Sequence, residues 1–153
     1  MTYFQVEGGH QLQGEITPAG NKNEALPVVA ATLLTDQAVT LNNLPNIGDV
    51  QSMIHLLETL GASCTKNENN SVTIQATELH SSTPEPEYSK KIRASFLLAA
   101  PLLHRFGKTR IAQPGGDFIG RRRLDTHIYS LEKMGAKVRL EEGFYFLECK
   151  QLT

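Results

Sequence analysis

The chain carries one pattern twice, and a duplicated pattern constrains an architecture before any single motif does. A strongly apolar stretch, ALPVVAATLL at 25–34, leads into a short strand pattern, AVTLNNLP. An amphipathic helix ending in Leu60-Gly61-Ala62 and a strand, SVTIQA, complete the unit. The same order returns as ASFLLAAPLL at 94–103, TRIAQP, a helix ending in Met134-Gly135-Ala136, and FYFLEC. The copies run from about Lys22 to Ala76 and from about Lys90 to Cys149, and Pro84 and Pro86 mark the joint. The early parts align at an offset of 69 residues and the Gly-Ala ends at 74, so the second copy carries five extra residues within PGGDFIGRRR. A loop that distinguishes two copies of one scaffold is where function is to be sought.

The helices predict how the copies pack. Val50, Met53, Ile54, Leu57 and Leu60 fall on one helical face, and Leu124, Ile128, Leu131 and Met134 repeat it, with His127 in the place of Met53. The first helix of each unit is apolar nearly all round, which predicts burial on every side. Helices packed inside with sheets outside follow from that pair of patterns. Gly61 and Gly135 stand where left-handed helix caps are needed. Pro27 is placed near a helix start, where its missing N–H has no partner to lose. Pro101, inside an apolar helix, predicts a kink or the end of a turn.

Composition excludes several classes. At 153 residues the prior is about one domain. With 40% apolar and 20% charged residues the chain can bury a core. Fifteen basic against sixteen acidic residues argue against a general nucleic-acid binder, and Arg121-Arg122-Arg123 is one short cluster without interleaved aromatics. No stretch approaches the ~18 apolar residues of a membrane span. No basic start followed by an apolar run marks a secretion signal, so a cytoplasmic protein is expected. Cys64 and Cys149 lack metal-ligand spacing and read as free thiols of a reducing compartment. His10, His55, His80 and His104 have no clustered partners, so no metal site is expected.

Four places carry candidate chemistry. Lys22 and Asn23 lie at or just before the first turn of the first helix, where orphan N–H groups and the helix dipole attract anions. A solvated Lys beside an Asn N-cap is the plainer reading of the same residues. Pro114 to Arg123 combines three glycines, the carboxylate of Asp117 and three arginines at the start of a helix. Positive charge is unfavourable at that helix end unless something anionic binds, and arginine suits bidentate phosphate contacts. Arg93, with Lys90 and Lys91, opens the second apolar helix, and it serves either a ligand or the core edge. His127 on an apolar face is either a packed histidine or a functional one.

Together these residues resemble a family. GNKNEALPVVAATLL, LPNIGDVQSMIHLLETLGA, IRASFLLAAPLLHRFG and PGGDFIGRRRLDTHI, in this order and over essentially the whole chain, are similar to UDP-N-acetylglucosamine enolpyruvyl transferase (1-carboxyvinyltransferase). The shikimate-type enolpyruvyl transferase is a cousin whose first motif usually has serines around the Lys and which lacks this PGG loop. The resemblance implies an inside-out α/β barrel of repeated βαβαββ units with buried helices and outer sheets. It implies no cofactor or metal. The substrates it implies are phosphoenolpyruvate and UDP-N-acetylglucosamine, in the first committed step of peptidoglycan precursor synthesis. Residue by residue, it implies phosphoenolpyruvate contacts for Lys22 and Asn23 and a substrate-holding role at the domain cleft for Arg93. It places Arg122 near the phosphate, makes Arg122, Arg123, Leu124, Asp125 and Thr126 a nucleotide-binding segment, and sets His127 near the cleft.

Two departures matter. Most members carry a cysteine as general acid where this chain has Asp117, and a minority carry Asp. A protonated carboxyl can deliver the proton, and resistance to fosfomycin, which alkylates the cysteine, is the implied consequence. Arg123 stands where Pro is common. The family's enzymes are also longer, with two domains of three units each. By that template, residues 1–20 are crossover strands that pair with the second domain, 21–80 the first unit, and 81–153 the second with an active-site loop at 113–124. The template further implies a chain inactive alone, lacking the C-terminal part and prone to self-association. A non-catalytic UDP-sugar or phosphate-binding module and a ligand-free interaction fragment are the readings from other classes.

Overall fold

The computed structural model describes residues 3–115 and 123–153. Residues 3–20 form neither helix nor strand, and 3–19 lie exposed, including Phe4, Leu12 and Ile16. A strand exists only through its ladder to a neighbour, and neither three-stranded sheet includes this segment. The crossover strands expected there pair with a further domain, and among the described residues this segment joins no ladder.

Each unit runs helix, strand, helix, hairpin. The first has α1 (Lys22–Ala31) with a 3-10 turn at Thr32–Leu34, β1 (Val39–Leu41), α2 (Gly48–Leu60), β2 (Ser63–Lys66) and β3 (Val72–Gln75). The second opens with a short α3 (Pro86–Lys91) and a 3-10 segment, Arg93–Leu98, that runs into α4 (Ala99–Phe106). β4 (Lys108–Ala112), α5 (Asp125–Lys133), β5 (Lys137–Glu141) and β6 (Phe144–Glu148) follow. In both sheets the last strand lies in the middle, in the orders β1-β3-β2 and β4-β6-β5, with antiparallel neighbours. Among the described residues the opening strand of the expected βαβαββ unit is absent, so each unit is αβαββ.

The turns show how the hairpins close. Glu142 and Gly143 both have positive φ between β5 and β6, as a two-residue hairpin loop of matching twist requires. Between β2 and β3 the five residues 67–71 turn the chain, with Asn69 and Asn70 at positive φ. On the outer face of the second sheet the Arg110 guanidinium lies 3.8 Å from the centre of the Phe144 ring, covering an aromatic that faces outward.

The helices of both units share one core. All five predicted residues of the α2 stripe are buried, joined by Leu56. α2 is packed by α1, α3 and the Arg93–Leu98 segment. α5 packs chiefly against β5, so Leu124 and Leu131 are buried while Met134 is 40% exposed. Gly61 and Gly135 end their helices with φ of 110° and 94°, as the caps demand.

Two expectations are corrected. α1 is not buried all round: Ala25, Leu26, Val29 and Ala30 face inward, but Pro27, Val28, Ala31 and Leu34 are exposed, Leu34 by 50%. Only its inner side meets other helices, and uniform hydrophobicity does not show which side finds a partner. Pro27 is the sixth residue of α1, within the helix rather than at its start, so the Asn23 carbonyl has no N–H from position 27 to accept. The expectation for Pro101 is met. The chain is 3-10 over 93–98 and becomes α-helical at Ala99, two residues before a proline that cannot donate back to Leu97.

Arg105 ties the units together. From the last turn of α4 its Nη2 donates to the Ala76 carbonyl at 2.8 Å, and its Nη1 lies 3.4 Å from the Leu33 carbonyl. Leu33 lies in the 3-10 turn after α1 and Ala76 directly follows β3, both in the first unit. Replacing this half-buried guanidinium by Met should cost about 1–3 kcal/mol, the worth of charged hydrogen bonds to buried carbonyls. Urea unfolding measures it, with Leu57→Ala as the core reference at about 2–5 kcal/mol.

The Cys64 thiol is pushed from 9.0 up to about 12 by burial, with the nearby Glu58 carboxylate adding to the shift. The folded state thus keeps a proton that the unfolded state gives up, so stability is full below pH 9 and falls as pH rises toward 12. Cys64→Ala should flatten that alkaline loss. At neutral pH a thiol reagent should label Cys64 far more slowly in the folded than in the unfolded chain.

Candidate active site

The amino ends of four helical segments meet at one cleft. Lys22 opens α1, Asp49 stands in the first turn of α2, Arg93 begins the 3-10 segment, and Leu124 caps α5. The cleft has a volume of about 500 Å³ and is lined by Lys22, Asn23, Asp49, Arg93, Leu124 and His127 over an apolar floor that includes Leu26 and Phe96. Two polar walls come from the first unit and two from the second. Helix starts present unpaired N–H groups and the positive end of the dipole, so the place suits an anion.

Local sequence sets each side chain. Asn21 is the N-cap of α1, and its Oδ1 accepts from the Asn23 N–H at 2.7 Å. That fixes Lys22 as the first helical residue, its ammonium at the cleft mouth. The Lys22 Nζ pairs with the Asp49 carboxylate across the cleft. Both are partly exposed, so the pair contributes little stability and can be exchanged for a ligand.

Arg93 is neither snorkelling nor free. Its Nη2 donates to the Arg123 carbonyl at 2.6 Å. The Arg123 Nε in turn lies 2.7 Å from Asp125 Oδ2, an exposed pair at the start of α5. Leu124 is buried, and its carbonyl accepts from the Ile128 N–H at 3.0 Å. Thr126 is exposed, and its carbonyl accepts from the Ser130 hydroxyl. His127 is exposed rather than packed in the core, its ring 6.1 Å from that of Phe96.

The structure therefore gathers Lys22, Asn23, Arg93, Leu124 and His127, with Arg123, Asp125 and Thr126 around the adjoining helix start. Asp117 and Arg122 lie outside the described residues. Asp49 was missed by sequence reasoning, because a lone acid in a first helical turn is favoured by the dipole alone. The repeat offers the signal: at the offset of 74 residues that matches Met53 to His127, Asp49 matches Arg123. Among the described residues no group of three or more His, Cys, Asp or Glu side chains could hold a metal ion. No described helix is long and apolar enough to cross a membrane.

Comparison with known proteins meets this geometry. The family described as EPSP synthase (3-phosphoshikimate 1-carboxyvinyltransferase) matches residues 6–151. UDP-N-acetylglucosamine 1-carboxyvinyltransferase of Bradyrhizobium diazoefficiens is 48% identical over 94% of this chain and 33% of its own length. That of Borrelia garinii subsp. bavariensis is 43% identical over 100% of this chain and 36% of its own. The chain thus spans about a third of the length of the curated relatives it matches. Among solved structures, the enolpyruvyl transferase NikO from Streptomyces tendae aligns with a TM-score of 0.79 at 22% identity, over 95% of this chain and 32% of that one. EPSP synthase from Acinetobacter baumannii aligns at 0.62 and 16% identity, over 90% and 32%. These two share the mixed α/β fold of this chain. The chain belongs to the EPSP synthase (3-phosphoshikimate 1-carboxyvinyltransferase) family, and its relatives at 43–48% identity are UDP-N-acetylglucosamine 1-carboxyvinyltransferases.

Proposed function

We propose that this chain supplies one wall of the active site of a cytoplasmic UDP-N-acetylglucosamine enolpyruvyl transferase in peptidoglycan precursor synthesis. The observation that carries the reading is the cleft itself, where four helix starts, Lys22 and Arg93 surround a space whose one lining carboxylate among the described residues is Asp49. Phosphoenolpyruvate is a small molecule with a phosphate and a carboxylate, and it suits this field. Lys22, Asn23 and Arg93 hold it, with Arg122 at the phosphate. Arg123, Leu124, Asp125, Thr126 and His127 take the nucleotide sugar. The longer chains of the relatives support an opposing wall from a further domain, which would pair with residues 1–20 and cover the exposed side of α1. If that wall were removed, the uncovered side would favour self-association and turnover would be lost.

The reaction needs two movements of charge. The 3′-hydroxyl of the sugar gives up its proton to a base and attacks the central carbon of phosphoenolpyruvate while a proton is delivered to the methylene carbon. The C–O bond to phosphate then breaks, and a proton leaves the former methylene carbon, restoring the double bond. Asp117 is the general acid of the first step. It must hold a proton near neutral pH, which the negative charge of bound phosphate and exclusion of water favour and the neighbouring arginines oppose.

Three outcomes test the reading. Phosphoenolpyruvate or inorganic phosphate should perturb the amide resonances of the Lys22 and Arg93 turns. Lys22→Ala should weaken binding about tenfold or more, as loss of a charged contact predicts, and Asp49→Asn should strengthen it by removing the competing carboxylate. Titration that leaves those resonances unmoved would sink the proposal. In an enzyme carrying this chain, turnover should fall as pH rises from mildly acidic to alkaline, and Asp117→Cys should carry that limb toward the ordinary thiol range of about 8.5. Fosfomycin should leave the Asp117 enzyme active and inactivate the Asp117→Cys variant. An adduct on the unsubstituted protein would refute the assignment of Asp117.

A further inference from the structure

Two stretches of the first unit meet at two points. One is the cleft pair, Lys22 with Asp49. The other is backbone on backbone. A Cβ on Gly20 would lie 1.8 Å from the Asn43 carbonyl oxygen, 3.1 Å from its carbon and 3.1 Å from Cδ of Pro45. The nearest atom belongs to the main chain, so no side-chain adjustment relieves the contact. Gly20 lies outside the left-handed region, so it supplies space here and not an unusual backbone angle. Gly20 stands two residues before Lys22, and Asn43 six before Asp49. The chain entering α1 therefore rests on the loop 42–47 that leads into α2.

That loop is held at both ends. Asn43 has φ 53°, a left-handed angle that Asn tolerates and β-branched residues resist. Directly after it, the Leu44 N–H donates to the Asn70 carbonyl at 2.8 Å, tying the loop to the β2–β3 turn, and Leu44 is buried. Nearer α2, the Ile47 N–H donates to the Pro45 carbonyl at 3.0 Å, and the Ile47 carbonyl accepts from the N–H groups of Val50 and Gln51. The Gln51 side chain donates to Asn46 Oδ1 at 3.3 Å and accepts from Lys66 Nζ at 3.0 Å. Asp49 thus emerges from a loop fixed to its own sheet. Residues 3–19, on the other side of Gly20, are exposed and belong to no helix or strand. The start of α1 needs a seat, and the Asn43 carbonyl provides one.

We propose that Gly20 and Asn43 are positioning residues. Their backbone contact seats the start of α1 on the loop 42–47, and so sets where the Lys22 ammonium is offered to the cleft. The consequence for substrate rests on the reading of Lys22 as a phosphoenolpyruvate contact. An ammonium placed in advance by a braced loop loses less freedom when a ligand arrives. A side chain at position 20 would lift the helix start off its seat and part Lys22 from Asp49.

The test is a zero-length cross-link in the substrate-free chain, read by mass spectrometry. A water-soluble carbodiimide joins an amine to a carboxylate in contact with it, so it should join Lys22 to Asp49. The Lys91–Glu87 pair of α3, Nζ to Oε1 at 3.1 Å, is the internal reference. Gly20→Ala should lower the Lys22–Asp49 product about two- to fivefold relative to that reference, the scale of an exposed ion pair. Asn43→Val should do likewise, while Asn43→Gly, which keeps the left-handed angle open, should leave the product at the unsubstituted level. If Gly20→Ala does not fold, the two Asn43 variants decide. An unchanged product in folded Gly20→Ala or Asn43→Val overturns the proposal, as does its absence from the unsubstituted chain. An equal fall of both products reports general unfolding and also overturns it. No substrate enters the reaction. Failure of phosphoenolpyruvate to bind the unsubstituted chain would therefore sink the functional reading and leave this result standing.

Discussion

The contact of the Arg93–Leu98 segment with α1 is the constraint on which the rest depends. Each repeat closes its own sheet, and among the described residues neither sheet joins the other by strand pairing. What joins the units is helix on helix, with Leu26, Val29, Phe96 and Leu98 in one core. Burying side chains of this size stabilises by roughly 1.5–3 kcal/mol each. That contact also fixes direction. Because α1 and the 3-10 segment pack with their starts at the same end, Lys22 and Arg93 reach one cleft, and α2 and α5 bring Asp49 and His127 to it. The cleft is a by-product of how two copies of one unit share a core, and Arg105 secures the far end of the same interface.

The chemistry of the cleft follows from its position at helix starts. A field that suits an anion here needs no large excess of basic residues, which agrees with a chain whose net charge is −1. Backbone N–H groups and dipoles supply part of the field, and two cations complete it. Asp49 tempers it. Its pairing with Lys22 keeps the ammonium directed into the cleft, as a ligand would.

Much of this was legible in the residues. The α2 stripe, both glycine caps and the break before Pro101 follow from pattern and repeat, while the set Lys22, Asn23, Arg93, Leu124 and His127 comes from the family resemblance. Three features were not legible, each for a physical reason. Periodicity shows which face of α2 is apolar, but α1 is apolar on all faces, so its exposed side depends on tertiary neighbours. Pro27 reads equally well at a helix start or inside one, and the N-cap of Asn21 decides it. The bond from Arg93 to the Arg123 carbonyl joins a side chain to a backbone group 30 residues away, and no residue pattern encodes such a contact.

The placement of the last strand of each unit in the middle of its sheet has a bearing on how the chain folds. β3 pairs with β1 and β2, and β6 with β4 and β5, so every sheet contact is closed within its own unit. Contacts of short sequence separation form early and cheaply. On a ribosome the first sheet can be complete once Gln75 has emerged, before the second unit exists. The Arg93–Leu98 segment then docks against a surface already built, and the order of synthesis becomes the order of assembly.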